Sequence, residues 1–230
     1  MPLEPAIFWC AADLLSRRAA TALIEELSDE EARRAAAFAF ERDRRTYIAA
    51  HALVRRALKR RLDGAEPYFV RGPDGRPELT PAQLGRPALS FNLTHTCDFA
   101  ACALLRGAPV GIDAEDMRRP IDIAAVAGRW FAVPERRLLE RHSGVDRAHL
   151  FFRIWTLKEA ILKATGQGLR IQPQLFAIDP DLGEAVIPRN LGIATSWRLA
   201  EFVPLPHIRL AVAVPGAGEV APSLTRIDLG

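Results

Sequence analysis

The sequence predicts an α+β protein built from two halves, and three observations point there. Helix-type and strand-type patterning follow one another twice along the chain. Residues 29–61 are rich in alanine, arginine and leucine, with Leu53, Ala57 and Leu58 placed as a buried helical stripe; apolar strand-type runs follow at 88–93 and 100–105. After a turn at Gly107 the order repeats, with a short strand at 110–115, helices over 121–130, 134–141 and 151–165, and strand-like runs around Phe176, at 197–202 and at 208–214. A length of 230 residues, 49% of them hydrophobic, permits two compact halves that each bury a core. The join near Gly107 divides the chain into residues 1–107 and 108–230.

Local signals support these elements. Pro134 opens its helix at a position where the missing N–H costs nothing. Gly166 and Gly168 close the helix over 151–165. The glycines, prolines and aspartate of residues 71–77 make that stretch a turn.

Composition narrows the function classes. No stretch approaches the ~20 apolar residues that span a bilayer, and residues 1–9 lack the basic-then-apolar order of a signal peptide. Cys10, Cys97 and Cys102 are odd in number and irregularly spaced, which fits a reducing cytoplasm better than a disulfide framework. Net charge is only +3, yet arginine supplies 28 of the 31 basic residues, the lysines being Lys59, Lys158 and Lys163. Arginine suits phosphate through its planar fork of donors. The near-balanced charge and the acidic pair described next do not make a nucleic-acid-binding face, and no Walker-type glycine loop is present.

Several residues carry chemistry. Asp113 and Glu115 lie two apart on a strand, so both carboxylates leave one face, roughly 7 Å apart at the backbone. They read either as a solvated strand end or as oxygen ligands for magnesium, which takes one or two carboxylates and completes its shell with phosphates and water. In residues 155–163 the helical period sets Ile154, Leu157, Ile161 and Ala164 in one apolar stripe, with Glu159 and Lys163 opposite. Trp155 and Leu162 share that opposite side, so the helix reads as buried all round, and a buried Glu159 then needs a partner or a metal. An exposed Glu–Lys pair is the other reading. His95 ends an apolar strand. Arg76 sits in a turn, and Arg42, Arg44 and Arg45 head a helix, positions where arginine meets phosphate beside free backbone N–H groups.

In chain order, Gly75-Arg76-Pro77, Phe91-Asn92-Leu93-Thr94-His95, Gly111-Ile112-Asp113-Ala114-Glu115, and residues 155–163 followed by Gly166-Gln167-Gly168-Leu169 resemble the Sfp-type 4'-phosphopantetheinyl transferases. The resemblance covers roughly residues 40–180. It implies two similar α+β halves related by a pseudo-twofold axis, with coenzyme A in the cleft between them. It implies that Asp113, Glu115 and Glu159 hold Mg2+, that Lys158 and Lys163 neutralise phosphate oxygens, and that Arg76, Thr94 and His95 bind the nucleotide end, His95 at the 3'-phosphate. Arg44 or Arg45 matches a basic residue of that phosphate site. Thr94 stands where the family usually has serine, and its hydroxyl keeps the hydrogen bond.

The implied reaction is attack by a serine of an apo acyl- or peptidyl-carrier protein on the β-phosphorus of coenzyme A. Adenosine 3',5'-bisphosphate leaves, and Glu159, or a water it orients, takes the serine proton beside Lys163. Arg118, Arg119 and Arg129 are candidates for meeting an acidic carrier. The enzyme is expected to be a cytoplasmic monomer that engages neither membrane nor nucleic acid.

Overall fold

The computed structural model describes residues 3–72, 75–218 and 220–230. Pro73 and Asp74 of the predicted turn, and the first two residues, lie outside the described residues. In chain order the elements are β1 (Ala6–Ala11), α1 (Arg17–Ile24), α2 (Asp29–Ala36), α3 (Glu41–Arg61), β2 (Phe69–Arg71), β3 (Pro77–Leu79), α4 (Pro81–Leu84), β4 (Leu89–Thr96), β5 (Phe99–Arg106), β6 (Gly111–Asp116), α5 (Ile123–Trp130), α6 (Val133–Glu140), α7 (Gly144–Thr165), β7 (Ala177–Asp179), β8 (Glu184–Val186), β9 (Trp197–Leu205), β10 (Ile208–Pro215) and β11 (Ser223–Arg226). Among the described residues no helix is long and apolar enough to cross a membrane.

The chain divides into two compact units, Glu4–Ala108 with Ala221–Gly230, and Pro109–Val220 with Leu3. The last ten residues therefore belong with the first unit, whereas a division at Gly107 assigns them to the second half. β11 runs parallel to β1 at a sheet edge, and Ile227 and Leu229 are buried in the first unit's core. An exposed Ser-Leu-Thr-Arg strand carries no apolar alternation to signal this pairing.

In the first unit the sheet order is β11-β1-β5-β4, with β5 antiparallel to both neighbours. Alternate residues Ala6, Phe8 and Cys10 of β1 and Ala100, Cys102 and Leu104 of β5 pack with Ile48, Ala49, Ala52, Leu53 and Ala57 of α3. The helix expected over 29–61 is two helices. Glu31 of α2 accepts hydrogen bonds from Arg55 Nε and Nη2 at 2.9 and 2.7 Å, and its other oxygen meets His51 Nδ1 at 3.0 Å. Those partners lie 20 and 24 residues along the chain, so α2 must fold back on α3 to reach them. Alanine-rich propensity alone would have run straight through.

The second unit sets α7 across the antiparallel sheet β6-β10-β9. α7 begins seven residues earlier than its apolar pattern indicates and ends at Gly166, whose φ of +80° is the left-handed cap conformation. Ile154, Leu157, Ala160, Ile161 and Ala164 share one core with Ala211 and Ala213 of β10. Contact with β6 is closer still. A Cβ placed on Gly111 would collide with the Ala160 carbonyl and the Ala164 amide of α7, so only glycine lets the helix backbone rest on the strand there.

Gly111→Ala is therefore expected to push α7 off β6. Overpacking of this kind costs about 1–3 kcal/mol; chemical denaturation should show a lowered midpoint, and an unchanged midpoint would disprove the close approach.

Candidate active site

The contact at Gly111 sets the site of the second unit. Side chains alternate along a strand, so Gly111, Asp113 and Glu115 all face α7. Asp113 Oδ1 accepts from Lys163 Nζ at 2.7 Å, and Glu115 Oε1 accepts from Trp155 Nε1 at 2.9 Å. Arg119 Nη2 stands 3.4 Å from the other Glu115 oxygen. The Trp155 ring is itself held in a near-parallel stack, 6.3 Å from both Phe131 and Phe151. Glu159 lies half-buried on α7 between Trp155 and Lys163.

The electrostatics of these groups is coupled. Burial, and then the Asp113 charge, pushes the Glu159 carboxyl up to about 7; Lys163 opposes the shift and Glu115 adds to it. Glu115 is raised by burial and by Asp113, against Arg119, Trp155 and Lys163. Three carboxylates thus share one face within reach of one another's fields, and each disfavours the charge on the next. Among the described residues, no three acidic, histidine or cysteine side chains are arranged to enclose a metal ion by themselves. Asp113 and Glu115 are instead occupied by hydrogen-bond donors of the chain. The donor set is all oxygen and mutually repelling, a chemistry that fits a hard divalent cation completing its shell with phosphate and water.

Lys158 is a correction to the sequence reading. Expected among the phosphate-binding cations, it is 0% exposed. Its Nζ donates to both oxygens of Glu135, at 2.7 and 2.8 Å, and to the Phe176 carbonyl at 2.6 Å. All three ammonium hydrogens are committed inside the core, because the helical step from Glu159 turns this side chain away from the carboxylate face. Nothing in the sequence singles out Glu135. It sits 23 residues upstream in the first turn of α6, where a glutamate ordinarily reads as a solvated helix start, and no spacing rule links it to Lys158.

In the first unit, Arg44 and Arg45 lie near the head of α3, half-buried, with Arg44 Nη1 3.5 Å from Glu41. Thr94 is buried and His95 exposed on β4, just before the two-residue turn Cys97-Asp98 that leads into β5. That turn is fastened to the same helix head. Thr46 Oγ1 lies 2.5 Å from the Cys97 carbonyl, and Arg42 Nε and Nη2 reach Asp98 at 2.9 and 2.8 Å. The structure thereby brings the α3 arginines and the Thr94–His95 strand end to one end of this unit. Arg76 stands half-buried ahead of β3. A cavity of about 860 Å³ opens between α2, α3 and the β2–β3 hairpin. It contains none of these residues, and among its lining charges Glu31 pairs with Arg55 and Glu26 with Arg56.

Acidic residues gather beside a lysine in one unit, and basic residues of a type suited to phosphate gather at a helix head in the other. Comparison with known proteins makes the class specific. Residues 109–213 match the 4'-phosphopantetheinyl transferase superfamily, and residues 16–105 match the 4'-phosphopantetheinyl transferase N-terminal family. The chain is 36% identical over 200 residues to the 4'-phosphopantetheinyl transferase HetI of Nostoc sp., covering 85% of this chain and 81% of that one. It is 32% identical over 143 residues to AcpT of Salmonella typhimurium, covering 62% and 68%. A solved holo-[acyl-carrier-protein] synthase from Thermotoga maritima aligns at 23% identity and a TM-score of 0.39, over 46% of this chain and 62% of that one. The chain belongs to the 4'-phosphopantetheinyl transferase superfamily and is an enzyme of that class.

The raised Glu159 carboxyl has a consequence for stability. Its folded pKa, about 7, lies above the ordinary 4.5. Between those values the unfolded chain has lost the proton that the folded chain retains, so stability falls as pH rises through that window and levels off above it. Glu159→Gln should flatten the decline in metal-free protein, measured by urea denaturation from pH 4.5 to 8. A parallel pH profile in the variant would show that Glu159 is not held in this field.

Proposed function

We propose that the transferred group comes from coenzyme A and is placed on a serine of an apo acyl- or peptidyl-carrier protein, with Asp113, Glu115 and Glu159 holding Mg2+. The observation that carries this reading is the face on which three carboxylates meet Lys163. A bound magnesium ion would offset charge on the pyrophosphate oxygens as a Lewis acid. The remaining work falls to the chain. Lys163, already at the carboxylate face, neutralises phosphoryl oxygens. Glu159, directly or through a water it orients, takes the serine proton. Arg76, Thr94, His95 and Arg44 or Arg45 bind the nucleotide end, His95 at the 3'-phosphate. Adenosine 3',5'-bisphosphate leaves, and the rate gain comes chiefly from positioning.

For carrier recognition, Arg118, Arg119 and Arg129 all have exposed side chains, with contacts to Asp116, Glu115 and Trp130 respectively. These three are the cations that steer an acidic carrier, through rate more than affinity. The working form is a cytoplasmic monomer.

The direct test is intact-mass spectrometry of apo-carrier proteins incubated with enzyme, Mg2+ and coenzyme A. A substrate gains about 340 Da, the mass of the covalently added arm. Asp113→Ala and Glu159→Ala should abolish that gain while remaining folded by circular dichroism; parental turnover in either variant would sink the metal assignment. His95→Ala should weaken coenzyme A binding by about 1.5–3 kcal/mol, the worth of one charge-assisted hydrogen bond. Calorimetry with 3'-dephospho-coenzyme A discriminates: equal losses in parent and variant when that phosphate is removed mean that His95 does not bind it.

A further inference from the structure

A buried, multiply hydrogen-bonded polar cluster of the second unit lies away from the carboxylate face. Glu135 is 1% exposed and accepts four hydrogen bonds: both oxygens take Lys158 Nζ, Oε2 takes the Ala132 N–H at 2.7 Å, and Oε1 takes the Ile178 N–H at 2.7 Å. Lys158 adds its bond to the Phe176 carbonyl, with Nζ 4.4 Å from the centre of the Phe176 ring. One carboxylate thereby ties the start of α6, the middle of α7 and the entry to β7. Buried apolar contacts are non-directional and let a helix rotate about its axis with little change in area. Hydrogen bonds to a buried charge are directional, and breaking one leaves a charge without a partner. Lys158 directly precedes Glu159 on α7, and Trp155 and Lys163 stand within five residues of it. Whatever fixes the rotation of α7 at Lys158 therefore also fixes which groups meet Asp113 and Glu115.

We propose that Glu135 and Lys158 are positioning residues for the transfer reaction: their buried ion pair locks the rotation of α7 so that Glu159, Lys163 and Trp155 face the carboxylates of β6. Neither residue touches substrate. The proposal rests on the reading of that face as the reacting site, and its structural half can be read without any metal or substrate.

The test uses the double variant Glu135→Leu/Lys158→Met in the full chain, because an apolar pair of similar volume can replace a buried ion pair with little loss of stability. Two readouts are taken. One is the Trp155 indole N–H resonance in metal-free protein, assigned with Trp155→Phe, which reports the bond to Glu115. The other is steady-state transfer at saturating Mg2+. The expected result is a folded variant whose Trp155 resonance moves, whose kcat drops at least tenfold and whose KM for coenzyme A stays within twofold. A folded variant with an unmoved resonance and parental kcat overturns the proposal. If the resonance moves while Glu159→Gln transfers as well as the parent, the lock stands and the reading of the reacting face fails. Should the double variant not fold, the same measurements are made on Glu135→Gln, which keeps an acceptor for the Ile178 N–H, and the same outcomes decide.

Discussion

The second unit depends on how closely one helix can lie on one strand. At Gly111 the backbone of α7 rests against β6 with no side chain between them, and this single approach sets the separation of everything farther along both elements. Two residues on, Asp113 finds Lys163; four residues on, Glu115 finds Trp155. The small residues Ala160 and Ala164 on the helix, and Ala211 and Ala213 on the neighbouring strand, extend the same requirement, because larger side chains there would lift the helix off the sheet. A core of alanines is weak per residue in buried area, so the apolar weight is carried elsewhere, by Phe131, Phe151, Phe152 and Phe176.

That close approach brings carboxylates together at an electrostatic cost. Asp113, Glu115 and Glu159 oppose one another's ionisation, and the chain holds them with donors matched to their burial: a lysine on Asp113, an indole and an arginine on Glu115. A face of this kind concentrates negative charge while its β6 carboxylates keep donors from the chain. The Glu135–Lys158 pair behaves in the opposite way. Burial raises Glu135 and pushes Lys158 down to about 8, each opposed by the other's charge, and full hydrogen-bond satisfaction keeps the pair together. Two lysines five residues apart on one helix thus have different surroundings, one half-exposed beside the carboxylate face and one sealed in the core.

The first unit uses a similar economy. The β4–β5 hairpin is closed by a two-residue turn with Cys97 at a φ of +44°, and the head of α3 grips that turn through Thr46 and Arg42. The strand end carrying Thr94 and His95 is therefore anchored to a helix rather than left as a loose edge. The arginines on that helix head share its position without a separate device to bring them there.

Much of this was present in the residue order. The stripe Ile154, Leu157, Ile161 and Ala164, the shared face of Asp113 and Glu115, and the α+β succession are periodicities, and periodicity is a local property that neighbours in sequence impose on one another. The family followed from motifs of the same short range. The rest was decided by contacts between distant residues. Whether residues 29–61 form one helix or two turned on Glu31 meeting His51 and Arg55. The membership of residues 221–230 turned on an edge of β1 that their sequence does not announce. Lys158 and Lys163 are indistinguishable as letters, and only the position of Glu135, brought in from another helix, decides which one is buried. Burial is a property of the assembled surroundings, so the chemistry of a charged side chain, unlike the period of an apolar stripe, cannot be read until those surroundings are in place.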